Sequence, residues 1–204
     1  MNGLLDRLAA DHTNDRATLA ALHDRLAARA REQGALDVAY RTFDSPVGSL
    51  LLAATGDGLV RIAFAGQDHD RVLDDLAARV GPRILADSHA LDPVVRELDE
   101  YFAGARRRFD VPLDHRLTSG FRAAVLARLP DIGYGHTASY AQVAAAAGNP
   151  KAVRAVGSAC GANPLPIVIP CHRVVRSDGS PGGYAGGPEA KRILLTLESA
   201  GSGE

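Results

Sequence analysis

The chain contains no tryptophan, one methionine and two cysteines, and aromatic residues make up 5% of its 204 positions. Two cysteines, Cys160 and Cys171, are too few for a disulfide framework. No CxxC pair occurs, so a zinc–thiolate site is not expected. No apolar run approaches the roughly 20 residues of a membrane span. The opening MNGLLDRLAADHTND has neither the basic start nor the long apolar stretch of a signal peptide. These absences predict a cytoplasmic protein with no membrane contact, whose thiols stay reduced. The seven histidines are scattered and suggest no metal site. The chain calls for no cofactor.

A strong charge of either sign is also missing, since the formal net charge is −1. The two ends differ, however. Residues 117–204 carry eight Lys and Arg against five acids, so this part is the better face for a polyanion.

What is present falls into three segments. Residues 1–36 read as a helical extension. Leu19, Leu22, Leu26 and Ala30 recur at helical spacing, DHTND suggests a break with Asn14 or Asp15 capping a second helix, and Gly34 is a natural stop. The leucine stripe is expected to dock on the chain's own first domain rather than on a second copy. Residues 37–116 read as a small α+β domain. Three strands are separated by Ser-Pro-Val-Gly and Thr-Gly-Asp-Gly turns. Two amphipathic helices follow, the second with Pro93 in its first turn, and RRRFDVPLD adds a possible strand. Residues 117–204 read as mostly helical. Ser119 is placed to cap the first helix. SYAQVAAAAG and PKAVRAVGSACG form a helix-turn-helix joined at GNP, with Gly148 ending the first helix, Asn149 capping the second and Pro150 at its first position. An ordinary helical hairpin fits the same pattern. The second helix would be the recognition helix, carrying Lys151 and Arg154.

NPLPIVIPCHRVV places three prolines in seven residues, which excludes a helix and a regular central strand. Such a stiff segment holds Cys171 at a fixed position. A thiol attacks as the thiolate, and a free cysteine titrates at about 8.5, so a base nearby is useful. His172 adjoins Cys171 and could reach it through a water. Glu198, on the last helix, could orient the imidazole and stabilise its protonated form, the logic of a Cys-His-acid triad. A buried structural thiol fits Cys171 equally well on these grounds. Cys160 reads as a small buried hydrophobe.

At this point the chain resembles a known family. RAVGSACGANPLPIVIPCHRVV, together with GFRAAVLARLPDIGYGHTASYAQVAAAAGNPKAVRAVG and GGYAGGPEAKRILLTLE, is similar to the methylated-DNA–protein-cysteine methyltransferases, the O6-alkylguanine-DNA alkyltransferases. The resemblance is dense over 119–198, loose over 37–115 and absent from 1–36. It implies single-turnover repair of double-stranded DNA, in which an alkyl group moves irreversibly from O6-alkylguanine to Cys171. The protein would act as a monomer and approach the minor groove through the helix-turn-helix. It also implies residue roles. His172 is the water-linked base, Glu198 the carboxylate behind it, and Asn163 the brace of the turn before the acceptor. Tyr140 helps to rotate the nucleotide and protonates the base. Arg154 fills the gap left by the flipped base, and Asn149, Lys151, Ala152, Gly157 and Ser177 belong to the DNA face. Pro166, Tyr184, Ala185 and Gly186 wall the pocket, and the Val174 carbonyl reads the guanine amino group. The chain departs from the pattern at Ala185, where some members have a serine facing the alkylated oxygen. Two other functions remain open: a hydrolase with a Cys-His-Glu triad, and a sensor that binds alkyl lesions without accepting the group. The cysteine at the acceptor position argues against the sensor.

Overall fold

The computed structural model describes residues 2–201 and, within the first helix, the side chains of Asp15 and of residues 18 onward. Helix α1 runs unbroken over Asn2–Glu32. The break expected at DHTND does not occur, because the weak helix formers there are flanked on both sides by alanine, leucine and arginine, with no glycine or proline between residues 4 and 33. Gly34, at φ +62°, ends the helix. There the Ala35 N–H reaches back to the Ala30 carbonyl at 2.8 Å, as in a left-handed C-cap.

The helix rests on the chain's own first domain, but not through the leucine stripe. Ala27 is buried, His23 Nε2 lies 2.6 Å from the Ala86 carbonyl, and Arg31 pairs with the buried Asp87 at 2.8 Å. Leu19, Leu22 and Leu26 are 65%, 52% and 57% exposed. The small alanines permit close approach, and Asp87 needs a buried partner. Together these select the face, over an apolar stripe that is only three leucines long.

The first domain is a four-stranded sheet of order β3-β2-β1-β4. Strands β1 (Val38–Ser45), β2 (Gly48–Thr55) and β3 (Gly58–Phe64) form the expected antiparallel meander. Strand β4 (Ile84–Ala86), not anticipated, pairs parallel to β1. The proposed strand in RRRFDVPLD does not form. Pro112 has no N–H to donate, so the segment touches only the edge of β3. There the Leu59 N–H donates to the Pro112 carbonyl, and the Asp114 N–H donates to that of Leu59. Helices α2 (His69–Arg79) and α3 (Asp92–Phe102) cover opposite faces. Alternation along β2 divides the core. Leu51 and Ala53 pack with Val72 and Leu76. Leu50 and Leu52 join a larger cluster with Leu98, Tyr101, Val125, Leu129, Ile169, Cys171 and Leu194. That larger core is continuous between the two halves, and this continuity fixes the position of Cys171.

The second half comprises α4 (Gly120–Leu126), β5 (Ala138–Ser139), α5 (Tyr140–Ala146), α6 (Val153–Gly161), β6 (Val174–Val175) and α7 (Gly187–Ala200). Ser139 opens α5 with a reciprocal cap. The Gln142 N–H donates to Ser139 Oγ at 3.2 Å, and the Ser139 N–H donates to Gln142 Oε1 at 2.7 Å. Gly148 at φ +82° closes that helix as expected. The next helix begins three residues later than anticipated. Asn149–Ala152 is a turn with Pro150 at its second position, closed by the Ala152 N–H donating to the Asn149 carbonyl at 3.0 Å. Proline's fixed φ suits that turn as well as it suits a helix start. Thus the asparagine acts through its backbone and does not cap α6.

Candidate active site

The segment before Cys171 is held by one side chain. Asn163 is buried; its Oδ1 accepts the Leu165 N–H at 3.0 Å, and its Nδ2 donates to the Ile169 carbonyl at 2.8 Å and to Cys171 Sγ at 3.1 Å. Within this turn Ile167 adopts φ +75°, a costly conformation for a β-branched residue. It persists because Ile167 is buried and its neighbours are fixed by proline. The first domain also grips the turn, since the Ile62 N–H of β3 donates to the Pro164 carbonyl at 2.8 Å. Pro166 lies buried in the same turn.

Cys171, His172 and Arg173 form one short 3₁₀ turn and are all buried. The His172 Nε2 lies 2.8 Å from Glu198 Oε1. Arg173 donates through Nε to Oε2 and through Nη2 to Oε1 of Glu198, at 2.8 and 2.9 Å. The Gly135 N–H and the Tyr101 hydroxyl add donors to the same carboxylate, at 3.3 and 2.7 Å.

The electrostatics follow from this geometry. Burial would raise the Glu198 carboxyl, but the bonds from His172 and Arg173 outweigh it and hold it down to about 2. It is therefore an anion at any working pH. Burial pushes the His172 imidazole down despite Glu198, so the ring is neutral at rest. With Nε2–H directed at Glu198, the Nδ1 lone pair remains; Nδ1 is buried without a hydrogen-bond partner among the described residues. Burial raises the Cys171 thiol to about 11, against the Asn163 bond and the Lys191 charge. The resting state is a neutral thiol, a neutral base and an ionised carboxylate behind it. This set can pass a proton from sulfur to imidazole when an electrophile arrives.

Tyr140 is brought to this site by the parallel pairing of β5 with β6, Ala138 opposite Val174 and Ser139 opposite Val175. Its hydroxyl packs on Gly182, where any Cβ would overlap it. Tyr184 and Ala185 sit half-buried on the cluster that contains Cys171, with the Tyr184 ring edge-on to His172 at 6.3 Å. Gly186 lets the glycine-rich loop lie on the Phe64 ring of the first domain, where a side chain would collide. The Val174 carbonyl is already engaged: the buried Lys191 Nζ donates to it at 2.6 Å, which leaves its second lone pair. Lys191, Arg173 and Tyr101 are members of this site that sequence reasoning did not select.

The remaining candidates lie apart, on the helix-turn-helix and the adjacent loop. Asn149, Lys151, Arg154 and Ser177 are exposed, and Ala152 and Gly157 are half-buried. Arg154 stands in the first turn of α6, where its charge meets solvent.

Residues 120–200 match the family model described as 6-O-methylguanine DNA methyltransferase, DNA binding domain, and residues 38–115 match its ribonuclease-like domain. The methylated-DNA–protein-cysteine methyltransferase of Mycobacterium tuberculosis H37Rv is 42% identical over 161 residues, covering 79% of this chain and 92% of the relative. The chain belongs to the methylated-DNA–protein-cysteine methyltransferase family. The inducible family member of Bacillus subtilis is 40% identical over 75% of this chain and 86% of its own. Among solved structures, the M. tuberculosis OGT in complex with DNA superposes with a TM-score of 0.70 at 40% identity, covering 80% of this chain and 94% of that one. The methyltransferase fold thus accounts for both halves of the chain. Among the described residues no helix is long and apolar enough to cross a membrane.

Proposed function

We propose that this family member repairs O6-alkylguanine in double-stranded DNA by moving the alkyl group to Cys171 once and irreversibly. The observation that carries this reading is the buried cluster at Cys171: Asn163 Nδ2 donates to its sulfur at 3.1 Å, and the adjacent His172 pairs with Glu198 at 2.8 Å, with Tyr140 packed against the same core. Division of labour follows the chain: residues 37–116 support the site from behind, and residues 117–204 hold the DNA face and the acceptor. Arg154 enters the duplex from the minor-groove side as the damaged nucleotide turns outward, a step that costs a few kcal/mol. Pro166, Tyr184 and Gly186 wall the pocket. Ala185 offers its backbone N–H to the alkylated oxygen where a serine hydroxyl would otherwise stand. The free lone pair of the Val174 carbonyl accepts from the guanine amino group.

The proton of the Cys171 thiol passes to His172 Nδ1, through a water, as the thiolate attacks the alkyl carbon. The S–C bond forms as the C–O6 bond breaks, and the departing guanine takes a proton from Tyr140. Protonated His172 then gives its proton through solvent to the Tyr140 phenolate, so the proton lost by the thiol balances the one gained by the guanine. Because a thioether is a poor leaving group, nothing returns the cysteine to its free form. The protein works as a monomer and needs no cofactor for this chemistry.

With duplex methylguanine in tenfold excess, methyl transfer should stop at one per protein molecule. Continued turnover on an ester or peptide would instead support the hydrolase reading of the same three residues.

The relay makes a further expectation. Glu198→Gln removes the charge that stabilises protonated His172, so the thiolate forms less readily. The sign is fixed: the rate rises with pH as the thiol ionises, and the variant should shift that rise to higher pH by about one unit or more. Single-turnover transfer near neutral pH should fall about 100-fold, on the scale of a lost general base. An unshifted profile, with the fold intact by circular dichroism, would reduce Glu198 to a structural role.

A further inference from the structure

We propose that Tyr101, on α3 of the first domain, is a positioning residue that tunes the His172–Glu198 pair and so couples the strand-rich half of the chain to the reactivity of Cys171. The proposal rests on the relay described above and adds a member to it. Tyr101 Oη donates to Glu198 Oε1 at 2.7 Å, the same oxygen that faces His172 Nε2 at 2.8 Å and accepts from Arg173 Nη2 at 2.9 Å. Tyr101 is fully buried, and Glu198 is 1% exposed. Three donors meet on this one carboxylate oxygen and compete. Each stabilises the charge in place and so weakens the hold of that oxygen on the protons of the others.

Packing alone does not call for this hydroxyl. On the buried face of α3, Val94, Leu98 and Tyr101 line the large core, where phenylalanine would fill the same space. A buried phenol without a partner would be costly. The ring is clamped by Phe102, Phe109 and Tyr134, with centroids at 5.4, 5.3 and 6.2 Å, so the hydroxyl keeps a fixed aim. Burial, and after it the Glu198 charge, drives the phenol far above its ordinary range. Tyr101 is therefore a permanent donor whose influence on the carboxylate has one sign at every working pH. The other charged or titratable groups facing the pair are Arg173, Lys191, Tyr134, Tyr184 and Cys171. None of them needs to change for Tyr101 to act.

The consequence is a direction opposite to that of Glu198→Gln. Removing the phenol leaves Glu198 more basic, so His172 takes the thiol proton more readily and the thiolate forms at lower pH. The test is single-turnover transfer from methylguanine duplex across pH, using the full chain. The variants are Tyr101→Phe, Glu198→Gln, and a 3-fluorotyrosine placed at position 101, whose more acidic phenol is the stronger donor. The rate midpoint should move down by about half a unit or more in Tyr101→Phe. It should move up in the fluorotyrosine protein and in Glu198→Gln. A Tyr101→Phe protein that only melts earlier, with its midpoint unmoved or raised, would overturn the proposal and leave Tyr101 a packing residue. If Tyr101→Phe is poorly folded, the fluorotyrosine protein, which keeps ring and donor, decides alone: an unmoved midpoint overturns the proposal. A midpoint unmoved in Glu198→Gln as well would place the failure in the relay itself.

Discussion

Replacing Cys171 with alanine should abolish alkyl transfer completely while leaving the binding of damaged duplex within about threefold. The separation follows from where the sulfur lies. Cys171 is 2% exposed, within the packed core, whereas the candidate phosphate and groove contacts Asn149, Lys151 and Arg154 are at the surface. The substitution removes one sulfur atom from a packed core, a loss of about 1 kcal/mol or somewhat more, too little to unfold a domain of ordinary stability. Cys160→Ala is the control. Burial, and then the Cys171 charge, raises the Cys160 thiol to about 12. Among the described residues no histidine–carboxylate pair backs it, so its removal should leave transfer intact. Residual transfer in Cys171→Ala that disappears only when Cys160 is also replaced would move the acceptor to the recognition helix.

Arg154→Ala should slow repair of duplex DNA about 100-fold while changing the reaction with free O6-alkylguanine less than threefold. The asymmetry arises because only the duplex reaction includes extrusion of the nucleotide. Extrusion costs a few kcal/mol, and each 1.4 kcal/mol is about a factor of ten in rate. Arg154 is exposed, and its backbone carbonyl accepts a bond from Ser158 Oγ at 3.3 Å whatever side chain it carries. Truncation therefore leaves the helix in place. An equal loss on both substrates would show that Arg154 supports the pocket rather than the flipped state.

Most of the architecture was legible because it is local. Alternation, Thr-Gly-Asp-Gly and the position of Pro93 mark strands, hairpin and helix without tertiary information. The errors occur where tertiary contact or a competing turn decides. Ile84–Ala86 is too short to announce itself and exists as a strand only because β1 offers an edge. Asn149 and Pro150 suit a helix start and a turn equally. The leucines of α1 form the better stripe on paper, yet the side that carries Ala27 and Arg31 docks, because Asp87 waits there.

At the site, Cys171, His172 and Glu198 were recognisable through motif and resemblance, and the structure brings them together with Asn163. Arg173, Lys191 and Tyr101 were passed over for different reasons. Arg173 reads as one more basic residue in CHRVV. Tyr101 lies in a domain with no catalytic pattern of its own, 97 positions from the carboxylate it meets. Lys191 did leave a signal. Together with Glu198 it occupies the Ala190–Leu194 face of α7, charges at core spacing on an otherwise apolar stripe, and such charges are retained only when paired.

The central claim is that Cys171 accepts the alkyl group once and keeps it. Intact-mass measurement after incubation with methylguanine-containing duplex tests it most directly, followed by peptide mapping. The expected result is a gain of one methyl group per molecule, located on Cys171, with an unmodified guanine left in the DNA. An unchanged protein mass alongside repaired DNA, or a methyl group mapped to another residue, would contradict it.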